Sequence, residues 1–364
     1  MQMYTEFIII IWWGIKMIKK FLCLMLCIGI FAFAGCRDNK ENKGTGENTA
    51  TTAATEPTTQ PKKVTYTNPL TGEDGFSKKV SQQRPVAIMV NNLSIAQDIQ
   101  TGVNKADIVY ETEVEGGITR LVAVFQDFKS VKQIGSIRSS RYVYIDIAAG
   151  HNAIYAYHGI DTRYAQPHLN IVDSIQVDTN NGAARISNGL DYEHTLYVYP
   201  DKVWNSIKSA GIKTTATKAK TWQKFAPANK PVKLKNKAEK VTVPFSYSYN
   251  TTFKYDKSSK RYVRYFNDEE RKDYNTGKST KVKNVFVLLT TIQNYPDGYH
   301  RNVALSSGRG YYFVNGTYAE INWSKGDSNN GFEFTDKNGK ALKVNPGNSW
   351  VCIADSSTSM PIID

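Results

Sequence analysis

From about Val64 onward, short apolar runs alternate with turn residues, a pattern that predicts strands. Val86–Val90 is one run, closed by Asn91-Asn92. Asp107–Val114 and Thr119–Phe125 are two more, and the Gly116-Gly117 pair between them predicts a hairpin. Gly135–Ser140 reads as a loop, Arg141–Ala149 as a helix, and Ala153–Tyr157 as a strand ending at His158-Gly159. Thr195–Tyr199 predicts another strand, followed by a helix over Pro200–Ala210 with proline at its first position. Beyond residue 240 the runs are almost all strand-like: 252–255, 261–265, 284–288, 309–314, 318–323, 332–334 and 349–353. Turn signals such as Asn315-Gly316 and Asn345-Pro-Gly347 separate them. The expected fold is α+β, with a mixed α/β N-terminal domain over 64–210 and a mostly β C-terminal domain over 241–364. Residues 211–240, rich in Lys, Thr and Ala with Pro227 and Pro231, read as the connection.

The first 63 residues follow other rules. From Met17, a basic Met-Ile-Lys-Lys start leads into an apolar stretch and then Phe33-Ala34-Gly35-Cys36. That order is a bacterial lipoprotein signal over residues 1–35, with Cys36 as the lipidation site and Phe33 where Leu is usual. An uncleaved span through Lys16, Lys19 and Lys20 would bury three lysines in the bilayer. Met17 is therefore read as the start, with 16 residues of upstream extension. Residues 36–63 are polar and rich in Thr, Ala and Pro, the composition of a disordered tether.

The formal charge is +13, of which the leader contributes two. A basic protein outside the cell faces anionic headgroups and anionic wall polymers. No nucleic-acid recognition motif accompanies the charge, so nucleic acid is not an expected partner. With Cys23 and Cys27 in the leader and Cys36 lipidated, Cys352 is alone, and its apolar surroundings mark it as a buried structural thiol.

Three stretches carry a family resemblance: Tyr110-Glu-Thr-Glu-Val-Glu-Gly-Gly-Ile-Thr-Arg120, Ile137-Arg-Ser-Ser-Arg141 and Tyr157-His-Gly159. With Asn68-Pro-Leu-Thr-Gly72, Gly308–Gly316 and Ile321-Asn-Trp-Ser-Lys325, they resemble the YerB-like family of Gram-positive lipoproteins over nearly the whole chain from about residue 65. The resemblance implies two domains and a lipid anchor, without a settled activity. Where the family tends to have Pro-His-Asn-Leu-Tyr, this chain has Glu193-His-Thr-Leu-Tyr197.

The strongest candidate chemistry is the Arg138–Arg141 stretch. Ser139 or Ser140 can cap the following helix, and Arg138 and Arg141, three apart, can flank its N-terminus as an anion site, with Arg185 closing the other side. The alternative is pairing of these arginines with internal acids such as Glu111, Glu113 or Asp127. His158, His194, Tyr197 and Glu113 are candidates for acid/base work or ligand contact. No histidine pair has zinc-ligand spacing, no Gly-x-Ser-x-Gly elbow is present, and the glycines of Ser306–Gly310 lack the Lys-Ser/Thr of a phosphate loop. No cofactor and no metal are expected. The reading is a lipid-anchored binding or scaffold module at the cell envelope, for an anionic wall component or a surface protein. A cell-wall hydrolase or transferase with an Arg/His cleft is the alternative.

Overall fold

The computed structural model describes residues 65–216 and 220–364. The leader, Cys36 and the tether lie outside them. An eleven-stranded sheet organises the chain. Its strands are β1 (Val86–Val90), β2 (Ile108–Glu113), β3 (Thr119–Phe125), β4 (Ile154–Tyr157), β5 (Ser174–Gln176), β6 (Asn236–Lys237), β7 (Asn284–Thr290), β8 (Ser307–Val314), β9 (Thr317–Ser324), β10 (Glu333–Asp336) and β11 (Ser349–Asp355). The order is β6-β9-β8-β7-β11-β2-β3-β1-β4-β5, with β10 on β9.

β1, β2, β3, β7 and β11 are buried at every position. That is why they read as continuous apolar runs: both faces of the sheet are covered. One face packs on an antiparallel sheet built from Lys240–Ser246, Tyr249–Asp256 and Arg261–Phe266, and on helix α2 (Pro200–Ser209) through Val203, Trp204 and Ile207. The other face packs on helix α1 (Tyr142–Gly150) and on Trp222, Phe332 and Phe334.

The fold is thus a mixed N-terminal part followed by a mostly β C-terminal part, joined inside the sheet. β11 from the second part lies between β7 and β2, parallel to both. The stretch 211–240 is woven into the body. Thr214 O accepts from Arg84 N at 2.8 Å, Trp222 N donates to Pro69 O at 2.9 Å, and Lys224-Phe225 pairs with Lys343-Val344. The described residues form one compact body.

A single carboxylate sits at the seam. Glu111 on β2 is fully buried. Its Oε1 accepts from Asn92 Nδ2 at 3.0 Å, Thr119 Oγ1 at 2.9 Å and Thr251 Oγ1 at 2.9 Å, and its Oε2 accepts from Trp350 Nε1 at 3.0 Å. Two donors come from the first part of the chain and two from the second. Arg264, also buried, lies 4.7 Å over the Trp350 ring and donates to Gln97 Oε1 and Asn92 Oδ1, both at 3.2 Å. Burial lowers the Arg264 pKa, and the charge of Glu111 opposes that shift. Glu111→Gln must turn an N–H toward one of four existing donors. Removing one acceptor of a buried charged network costs roughly 2–4 kcal/mol. Urea unfolding of the variant should show that loss, and pairing it with Trp350→Phe should recover part of it; an unchanged midpoint in the single variant would show that the carboxylate is not under strain of satisfaction.

Candidate functional site

β1, β2, β4, β7 and β11 all run the same way, so their carboxyl ends share one edge of the sheet. Ligands of open α/β sheets bind outside such an edge. Asn91-Asn92 follow β1, Glu113 ends β2, His158 follows β4, and Asp355 ends β11.

Most of the candidate residues gather here, in two adjoining groups. The first surrounds the turn Tyr192–His194. Arg138 Nη2 lies 3.3 Å from Glu193 Oε1, and His194 Nε2 lies 3.4 Å from the same oxygen. Arg185 lies flat on the Tyr192 ring at 3.3 Å and donates to Tyr192 O at 2.6 Å. His158 Nδ1 meets Val177 O at 2.7 Å, so it carries the proton, and Nε2 is left to accept from Arg185 Nη2 at 3.3 Å. Gly159, with φ +75°, lets the Arg138–Ser140 segment pass close by: a Cβ there would stand 2.7 Å from Ser139 Oγ. Burial and the charge of Arg138 lower the His194 pKa. Glu193, where the chain departs from the family pattern, supplies the one carboxylate that Arg138 and His194 share.

The second group is an internal ion-pair network. Arg141 Nε donates to Glu115 Oε1, and Arg120 Nη2 stands 3.8 Å from Glu115 Oε2 while its Nη1 donates to Ser139 O at 2.6 Å. Burial would raise the Glu115 pKa, yet the Arg141 hydrogen bond and the two guanidinium charges hold it below the ordinary value. Burial and the Arg141 charge bring Arg120 down to about 10. His300, from the second part of the chain, reaches Asp161 at 3.3 Å and Asp297 at 2.7 Å. Arg301 pairs with Glu113, whose pKa burial raises against that pairing.

The helix α1 begins at Tyr142, with Arg141 as its cap residue and no side-chain cap. Ser140 Oγ accepts instead from Tyr155 at 2.8 Å. Arg138 is therefore in extended chain, and the arginines do not flank a first helical turn. Tyr197 stands apart: it is buried against Gly135 and donates to Ile99 O at 3.0 Å. The residues not foreseen are Glu115, Arg120, His300 and Arg301. Glu115 and Arg120 flank the Gly116-Gly117 turn, a spacing that brings opposite charges across a hairpin; nothing local signals His300 or Arg301. Among the described residues, no group of three or more His, Cys, Asp or Glu side chains is placed to hold a metal.

The two-part body and its motifs place the chain in a known family. Residues 70–213 match the model described as "Protein of unknown function (DUF3048) N-terminal domain", and residues 241–351 match the corresponding C-terminal domain. The chain belongs to this DUF3048, YerB-like family. It is 30% identical over 298 residues to "Putative lipoprotein YerB" of Bacillus subtilis (strain 168), covering 78% of this chain and 85% of that one. The crystal structure of YerB from Bacillus subtilis is similar with a TM-score of 0.71 at 27% identity, covering 82% of this chain and 99% of that chain.

The network gives Arg141 a structural task that can be measured. Arg141→Met leaves Glu115 with only the more distant Arg120 guanidinium, a loss of about 1.5–3 kcal/mol for the missing charged hydrogen bond. The pH response should also weaken. A depressed carboxylate pKa contributes stability above its unfolded value that is lost as pH falls, so this contribution in the parent weakens on acidification. In the variant the Arg141 hydrogen bond and charge are gone while the Arg120 charge remains, so Glu115 is depressed less and acidification costs the variant less stability than the parent. Urea midpoints compared at neutral pH and at about pH 4 should fall more in the parent than in the variant; parallel losses in the two proteins would refute the assignment.

Proposed function

We propose that this protein is a lipid-anchored binding module of the cell envelope, docking an anionic wall polymer or surface protein at the carboxyl edge of its sheet. The observation that carries the reading is the convergence of Arg138, Arg185 and His158 on the Tyr192–His194 turn, where the exposed Glu193 is the acid paired with Arg138 and His194. Arg138 keeps an Nε–H without a protein acceptor, and so do Arg120 and Arg301 beside it. A planar fork held by an aromatic ring is ordered before its ligand arrives, which limits the entropy lost on binding. The relative named as a lipoprotein and the Ala34-Gly35-Cys36 box support the anchor.

The hydrolase or transferase alternative has less support. His158 and His194 already meet Arg185, Asn91 and Glu193 rather than a hydroxyl. The Cys352 thiol is buried and burial pushes its pKa up, the opposite of an activated nucleophile.

The test is retention of the mature chain on purified walls. Arg138→Gln with Arg185→Gln should lower retention about tenfold, in line with two lost charged hydrogen bonds. Glu193→Gln should raise it, because it frees the Arg138 fork. Cys36→Ala should abolish partitioning into detergent. Retention indifferent to all three arginine-turn changes would remove the binding reading, and normal detergent partitioning of the Cys36 variant would remove the anchor.

A further inference from the structure

We propose that a second cleft, on the opposite side of β7 from the arginine turn, binds a saccharide chain carrying an anionic substituent. It goes beyond the docking reading above and shares no residue with it.

The cleft begins where the pairing of two strands ends. β7 and β8 pair as far as Leu288 and Gly310. Beyond that point the Trp323 indole N–H donates to both Leu289 O at 3.2 Å and Arg309 O at 3.1 Å. The ring occupies the place a side chain on residue 308 would take: a Cβ on Gly308 would stand 2.3 Å from Leu289 O and 2.8 Å from Trp323 Nε1. A cleft of about 560 Å³ opens between Thr290-Thr291, β8, β9 and the turn at Ser356–Met360. The covering sheet ends before this point. Phe313 and Tyr318 stack at 5.7 Å within the packed region, whereas Arg309 and Asn322, paired across β8 and β9, are exposed.

The lining selects the ligand. Arg309, Glu320 and Lys337 are exposed and, among the described residues, none has an ion pair or a side-chain hydrogen bond. This is unlike the arginine network, where nearly every charge has a partner. Ser307 and Asn322 add a hydroxyl and an amide, and Tyr311, half-buried opposite Glu320, is the one ring in the lining. Vicinal hydroxyls donate and accept at once, so they match an amide and a carboxylate side by side. The apolar face of a sugar ring suits a tyrosine, and a carboxylate or phosphate suits an arginine fork with a lysine nearby. A folded protein partner fits poorly, since the cleft lacks the aromatic and aliphatic core of a protein interface.

The experiment uses the full mature chain on purified Gram-positive walls, before and after removal of their phosphodiester-linked polymers. Hydrogen exchange reads protection in 304–311 and 320–322. The paired variant is Arg309→Ala with Lys337→Ala, both exposed and therefore safe for folding; Arg309→Lys is the conservative control. Support requires protection of these peptides in the parent and a drop in retention of about tenfold in the paired variant, a charged bidentate contact being worth at least that. Arg309→Lys should lose part of it, and the Arg138/Arg185 variant should keep the protection. Protection surviving polymer removal assigns a carboxylate-bearing glycan, and protection lost with the polymer assigns a saccharide whose anionic group is the phosphodiester. Unprotected peptides on both walls, or equal retention of parent and paired variant, would overturn the proposal. Protection confined to the Tyr192–His194 turn would overturn it while leaving the docking reading intact.

Discussion

The buried carboxylate of Glu111 is the constraint on which the rest of this structure depends. A charge in that position is costly unless its acceptor sites are filled, and here the donors come from four separated segments: Asn92, Thr119, Thr251 and Trp350. Filling them forces β1, β3, β11 and the covering sheet into one arrangement. Arg264 then stacks on Trp350 and closes the circuit through Asn92 and Gln97. Buried polar circuits of this kind specify one arrangement where an apolar seam would tolerate several. It follows that the two family-matched segments, 70–213 and 241–351, act as halves of one sheet.

That arrangement also accounts for the carboxyl edge. With β2 and β11 locked side by side, Glu113 and Asp355 end next to each other, and the hairpin after β7 brings Arg301 and His300 across onto the first half. Tyr295 stacks on Tyr164 at 3.8 Å, and Tyr142 donates to Val303 O at 2.6 Å, so the hairpin is clasped at several points. The charges nearest the seam are spent on holding the halves together. Those farther out, Arg138 on one side and Arg309 and Lys337 on the other, are more loosely engaged and therefore better suited to a ligand.

Much of the fold is legible in the sequence, because strands covered on both faces appear as apolar runs. Val86–Val90 and Thr119–Phe125 fall where the runs lie, and the helices at Tyr142 and Pro200 start within a residue of expectation. Lys240–Ser246 shows no such run, since its buried positions alternate with half-buried lysine, threonine, proline and serine. The parallel pairing of β2 with β11 joins residues more than 200 apart and leaves no local trace. The same limit applies to the site. Convergence of Arg138, His158, Arg185 and His194 follows from motifs in one half, but the partner of Arg141 is Glu115 rather than Glu111, Glu113 or Asp127, and only the turn geometry decides among these acids. The 211–240 stretch reads as a linker because its composition is polar, while Trp222 and the short strands that tie it down are sparse.

The central claim is that the seam makes one cooperative body of the two halves. Native-state hydrogen exchange across a denaturant series, following amides of β1 and β3 in one half and β8 and β9 in the other, measures it directly. The account predicts that both sets converge on one opening free energy and one denaturant slope, and that Glu111→Gln lowers both together. Separate isotherms for the two halves, with Glu111→Gln shifting only one, would contradict it.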